Sequence, residues 1–177
     1  MNNSLQEYLN FANKLADVAG ITSMEYFRTS LSIDNKSDES PVTIADKNTE
    51  LKIRSLIENE YPDHGILGEE FDSVNPDAEF IWVIDPIDGT RSYIAGHKDF
   101  GNLISLTQNK KPIIGIINCP AHDERWVGAK NQSSTVNQQT VNTSNVTEIE
   151  DAYIFMSGLY LDEPHLRNAV DKIKNKV

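Results

Sequence analysis

The sequence predicts an α+β fold in which N-terminal helices pack on a largely antiparallel sheet. Apolar residues recur at three- and four-residue spacing over roughly residues 5–60, the period of a helix with one buried face. From Phe80 onward, short runs of β-favouring residues replace that period. Turns too short for a crossover separate those runs, so the strands pair as antiparallel neighbours. The 177 residues suffice for one core and are read as a single domain, 1–177.

Composition narrows the function classes. With 38% hydrophobic and 24% charged residues the chain reads as soluble and globular. A formal net charge of -11 argues against nucleic acid, which requires a basic footprint. The single cysteine, Cys119, excludes an internal disulfide and reads as a small buried apolar residue. The start, Met1-Asn2-Asn3-Ser4, lacks a basic leader, and no apolar run approaches membrane-spanning length. A cytoplasmic protein with no membrane partner is expected.

In chain order, Leu5, Leu9, Ala12, Ala16 and Ala19 fall on one helical face, flanked by Tyr8, Phe11, Leu15 and Val18. Gly20 is a plausible break, although Met24 to Arg28 could continue the helix. The polar stretch from Lys36 then leads to Thr43, an N-cap with Asp46 three residues on, a capping box with Asp in place of Glu. That helix turns Ile53, Leu56 and Ile57 inward and ends near Tyr61-Pro62-Asp63. Asp46 there complements the helix dipole whatever else it does. Gly65-Ile66-Leu67-Gly68 leads into Glu69-Glu70, and residues 72–79 form a polar linker.

The chemistry concentrates next. Phe80-Ile81-Trp82-Val83-Ile84 reads as a buried strand running into Asp85-Pro86-Ile87-Asp88-Gly89-Thr90. Pro86 is expected to stop the ladder and Gly89 to allow a tight bend. Two carboxylates on so short a turn repel each other, and no lysine lies inside it. A hard divalent cation such as Mg²⁺ is the natural counter-charge, with Glu69 placed to share it. Arg91 to Ala95 opens a short helix, aiming the N–H groups of Gly89 and Thr90 at an anion. His97 and Lys98 read as surface.

Strands follow at Leu103–Leu106, Ile113–Ile117 and Glu124–Gly128, with Trp126 expected in the core. Residues 131–148, rich in Asn, Gln, Ser and Thr, read as loop. Ala152–Met156 reads as a further strand, and Leu166, Val170, Ile173 and Val177 as a helical stripe.

Taken together, Ser40-Pro41-Val42-Thr43 ahead of Asp46, Glu69-Glu70 and Asp85-Pro86-Ile87-Asp88-Gly89-Thr90 resemble the inositol monophosphatase superfamily of Mg²⁺-dependent, lithium-sensitive phosphatases. The match runs in order from the first helix to about Ala129. Thr90 to Gly96 and Glu124 to Ala129 look most like its histidinol-phosphatase branch, which serves histidine biosynthesis. The resemblance implies a layered α/β sandwich and roughly two or three Mg²⁺ ions. It implies that Glu69, Asp85 and the Ile87 carbonyl hold one ion, and Asp85 and Asp88 a second. Asp88, Gly89 and Thr90 would hold the phosphate, Thr90 and Glu69 would orient the attacking water, and Asp46 would act with Thr90. Arg91 would recognise the substrate, a small phosphorylated metabolite.

The sequence also departs from that pattern. The superfamily's downstream metal-binding aspartate has no counterpart, since Asp151, Asp162 and Asp171 lack its context. The chain thus resembles the N-terminal portion of such an enzyme, its C-terminal α/β half missing or incomplete. Three readings follow: a phosphomonoesterase acting on histidinol phosphate, inositol phosphate or another small ester; a non-catalytic metal-binding form; or an interaction protein. In the last, the uncovered face meets a second copy or the missing half.

Overall fold

The computed structural model describes residues 4–30, 33–35, 41–153 and 170–173, with the backbone alone for 33–35 and 41–42. Two compact units divide the chain, residues 1–141 and 142–177. The second unit, where described, holds a 3₁₀ turn at Ile149–Asp151 and a helical turn at 170–173. Residues 152 and 153 are irregular there. The remainder of the strand expected at Ala152–Met156, together with Leu166 and Val177 of the helical stripe, lies outside the described residues.

Helix α1 (Leu5–Tyr26) opens on a capping box: Ser4 Oγ accepts from Glu7 N at 3.3 Å and Glu7 Oε2 accepts from Ser4 N at 2.6 Å. It buries Tyr8, Phe11, Ala12, Leu15, Ala16 and Ala19, as the spacing predicts. The helix also passes through Gly20, because a glycine costs only about 1 kcal/mol and the packed face beside it outweighs that. A two-stranded antiparallel ribbon, β1 (Ile33–Asn35) and β2 (Pro41–Thr43), follows. It delivers the chain to α2 (Ile44–Glu60).

Seven strands form one sheet in the order β3 (Gly65–Leu67), β4 (Phe80–Asp88), β5 (Gly101–Gln108), β6 (Lys111–Cys119), β7 (Glu124–Ala129), β8 (Thr135–Val136), β9 (Gln139–Thr140). Only β3 and β4 are parallel; from β4 onward each strand pairs antiparallel with the next. One face packs Trp82, Ile84, Ile104, Leu106, Ile114 and Ile116 against α1 and against Ile53 and Ile57 of α2. The fold is therefore α+β, helices on a largely antiparallel sheet.

Three local readings are corrected. Pro86 does not end its strand: β4 continues to Asp88, with a register shift between Asp85 (paired with Leu103) and Asp88 (paired with Gly101). A bulge absorbs the missing N–H, and Asn102 Nδ2 donates to the Pro86 carbonyl at 2.7 Å. Trp126 is not core but 41% exposed, because its register partner Ile117 faces away from the helices and is itself 50% exposed. Within 131–148, β8 and β9 make a hairpin on the two-residue loop Asn137-Gln138, both residues at positive φ. Cys119 is half-buried, with its thiol pushed up chiefly by burial. Among the described residues, no helix is long and apolar enough to cross a membrane.

Candidate active site

The end of β4, the bend after β3 and the start of α2 converge. Gly89, at φ +84°, turns the chain out of β4, and an added Cβ would lie 2.9 Å from the Asp99 carbonyl oxygen. The five-residue helix α3 (Thr90–Ile94) begins at once. Beneath it, Ala45, Ile87, Tyr93 and Phe100 form a small apolar cluster. Tyr93 locks it down, its hydroxyl donating to the Ser23 carbonyl at 2.6 Å.

Asp85 sits half-buried in β4, and its Oδ1 is shielded from solvent with no hydrogen-bond partner. Its carboxyl is pushed up to about 8, first by burial, then by the Glu69 charge, a hydrogen bond with the Glu69 side chain and the Asp88 charge. A backbone hydrogen bond at Ile87 opposes the shift. Glu69 and Asp85 thus meet, as the acids before and within the central strand were expected to. Glu69 and Asp88 are exposed at the rim, and Arg91 is exposed on α3.

Asp46 is buried. Its Oδ2 accepts from Thr43 N at 2.8 Å and from Thr43 Oγ1 at 2.6 Å, completing the capping box. Its Oδ1 lies 3.4 Å from the Thr90 hydroxyl, which donates more closely to the Ile87 carbonyl at 3.0 Å. Asp46 therefore ties the start of α2 to the turn after β4.

The donor set fits a hard divalent cation. A buried carboxylate oxygen without a partner beside a second carboxyl is a costly arrangement, and a cation relieves it. Among the described residues, no three His, Cys, Asp or Glu side chains converge, so the pair needs backbone or water oxygens to complete a coordination shell.

Sequence reasoning missed the residues that hold this site. Asn102, fully buried, braces Pro86 and accepts from Asn118 Nδ2 at 2.9 Å; Asn118 Oδ1 in turn accepts from Arg125 Nε at 2.9 Å. Glu50 and Arg54 on α2 hold the bend at 68–71. Their i, i+4 spacing, in step with Asp46, Ile53 and Ile57, was the available signal.

The model of the inositol monophosphatase family matches residues 4–177. This chain belongs to the inositol monophosphatase family. Relatives within it include a histidinol-phosphatase of Chlorobaculum parvum, 37% identical over 168 residues, covering 94% of this chain and 65% of the relative. The bifunctional phosphatase IMPL2 of Arabidopsis thaliana is 36% identical, over 98% of this chain and 51% of its own length. An inositol-1-monophosphatase of Bacillus subtilis is 30% identical, over 86% and 58%. A solved inositol monophosphatase from Zymomonas mobilis superposes with a TM-score of 0.84 at 39% identity, covering 99% of this chain and 68% of that one. The chain spans between half and two thirds of the length of these curated relatives.

Proposed function

We propose that this chain holds the metal- and phosphate-binding portion of a Mg²⁺-dependent phosphomonoester hydrolase, with histidinol phosphate as substrate. The Glu69–Asp85 carboxyl pair with its partnerless buried oxygen carries the reading. Histidinol phosphate is chosen on the histidinol-phosphatase-like stretches Thr90 to Gly96 and Glu124 to Ala129 and on the histidinol-phosphatase relative at 37% identity; inositol phosphate is the second candidate, since an inositol monophosphatase structure stands at 39%.

In this reading Glu69, Asp85 and the Ile87 carbonyl would hold one Mg²⁺, and Asp85 with Asp88 would hold a second. Such ions supply Lewis-acid polarisation of the phosphoryl group and a nucleophilic water at neutral pH. The chain's own groups do the rest. Backbone N–H groups at Gly89 and Thr90 donate to phosphate oxygens. Glu69 and the Thr90 hydroxyl orient the attacking water, and Asp46 keeps Thr90 in place. Arg91, exposed beside the turn, pairs with an anionic part of the substrate. No covalent intermediate is required.

The test is phosphate release from histidinol phosphate and from inositol 1-phosphate, with Mg²⁺ or EDTA, and Asp88→Asn as control. Mg²⁺-dependent release, fastest on histidinol phosphate and lost by about two orders of magnitude in the variant, is expected. Absent release with Mg²⁺ still bound would favour the non-catalytic, metal-binding reading.

A further inference from the structure

We infer that Glu50 is the positioning residue for the Glu69 carboxylate, acting through the backbone of the bend after β3. The inference rests on the reading that Glu69 and Asp85 hold a cation.

Glu50 lies mid-helix in α2 and is fully buried; Arg54, one turn on, is 6% exposed. A buried carboxylate is costly unless every oxygen is occupied, and here both are. Its Oε1 accepts from Arg54 Nε at 2.8 Å. Its Oε2 accepts from two successive backbone donors, Glu69 N at 3.0 Å and Glu70 N at 2.8 Å. Arg54 Nη2 continues the grip, donating to the Phe71 carbonyl at 2.9 Å, with its guanidinium 5.7 Å from the Phe71 ring centre. Two side chains one helical turn apart thus fasten three consecutive residues of a segment that no sheet partner restrains.

Converging both N–H groups on one oxygen fixes the planes of two adjoining peptides. That sets the direction in which the Glu69 side chain leaves the backbone, which a carboxylate shared with Asp85 requires. Gly68 belongs to the same device: a Cβ there would fall 1.9 Å from Glu50 Oε1 and 2.8 Å from Arg54 Nη2, so any side chain unseats the clamp. Stability alone does not explain the pair, because a buried ion pair is often matched or bettered by apolar residues of similar volume. The position on α2 adds a reason. Asp46 stands one turn before Glu50 on the same helix, so one rigid element sets both the Thr90 and the Glu69 sides of the site.

The experiment uses the whole chain and Mn²⁺ as probe, with free ion counted by electron paramagnetic resonance. Amide hydrogen exchange at residues 69 and 70 and urea unfolding in EDTA accompany it. Gly68→Ala and Glu50→Gln are expected to unprotect both amides and weaken Mn²⁺ binding roughly 10- to 100-fold. The double variant Glu50→Met with Arg54→Leu removes the buried charges together. It is expected to restore metal-free stability while Mn²⁺ affinity stays low. Recovery of affinity along with stability would make the pair merely structural and overturn the inference. Unchanged affinity in Gly68→Ala and Glu50→Gln, with Glu69→Gln and Asp85→Asn still weakening binding, would sink the inference alone. Indifference of Mn²⁺ binding to Glu69→Gln and Asp85→Asn would remove the cation reading and this inference with it.

Discussion

His64 shows how much a single side chain can depend on its protonation state here. Its ring stacks on Tyr61, with centres 4.6 Å apart, and on Phe80 at 5.0 Å, while Nδ1 accepts from Trp82 Nε1 at 3.2 Å. A proton on Nδ1 would break that bond, and burial holds the imidazole below its ordinary value against the opposing charges of Asp63 and Glu79. Because the folded value is depressed, the unfolded chain takes up the proton first as pH falls. The contribution to stability is present above the ordinary histidine value of about 6.5 and is lost as pH drops through the folded one. Urea midpoints should fall between pH 7.5 and 5.5, and His64→Gln should flatten that slope. An unchanged slope in the variant would assign the loss to other groups.

At the scale of elements, α2 is organised by its first turn. Thr43 Oγ1 accepts from Ala45 N at 3.1 Å and donates to Asp46 Oδ2, so one hydroxyl serves both the helix end and the site. Thr43→Ala should cost about 0.5–2 kcal/mol in urea unfolding, and Thr43→Ser should recover most of it. Equal losses in the two would place the effect in the threonine methyl. The box was legible in the sequence because caps obey local rules, as were the meander and the strand into Asp85. Tertiary contacts decided the rest. Gly20 stays helical under the packing of its neighbours, and β4 passes Pro86 because Asn102, sixteen residues on, braces the bulge. Trp126 was misplaced because alternation gives a strand two faces without saying which is covered. The Glu69–Asp85 meeting was foreseen, but the clamp behind it joins residues 19 and 20 positions apart, beyond any short motif.

At the largest scale, among the described residues of the first unit, the two faces of the seven-stranded sheet differ. The helices take one face; on the other, a cleft of about 670 Å³ is lined by Val83, Leu103, Ile117 and Trp126, with Asp85 and Asp88 at the same cleft. These apolar side chains stand out on a chain otherwise carrying a net charge of -11, and they offer a surface to a hydrophobic probe. The 177-residue chain should therefore enhance the fluorescence of a hydrophobic dye such as ANS. Ile117→Thr combined with Trp126→Thr should remove most of the enhancement. Dye binding that survives both changes would locate the sticky surface elsewhere.

The brace on Pro86 also orders events in time. Every acid proposed for the cation, and Thr90 with them, lies between residues 43 and 91, whereas Asn102 and Asn118, which steady the bulge, come later in the chain. During synthesis on the ribosome, the carboxylates emerge before their support. Until β5 and β6 zip onto β4, the nascent acidic turn is a loose cluster of like charges, and a well-formed cation pocket appears only once the sheet has closed behind it.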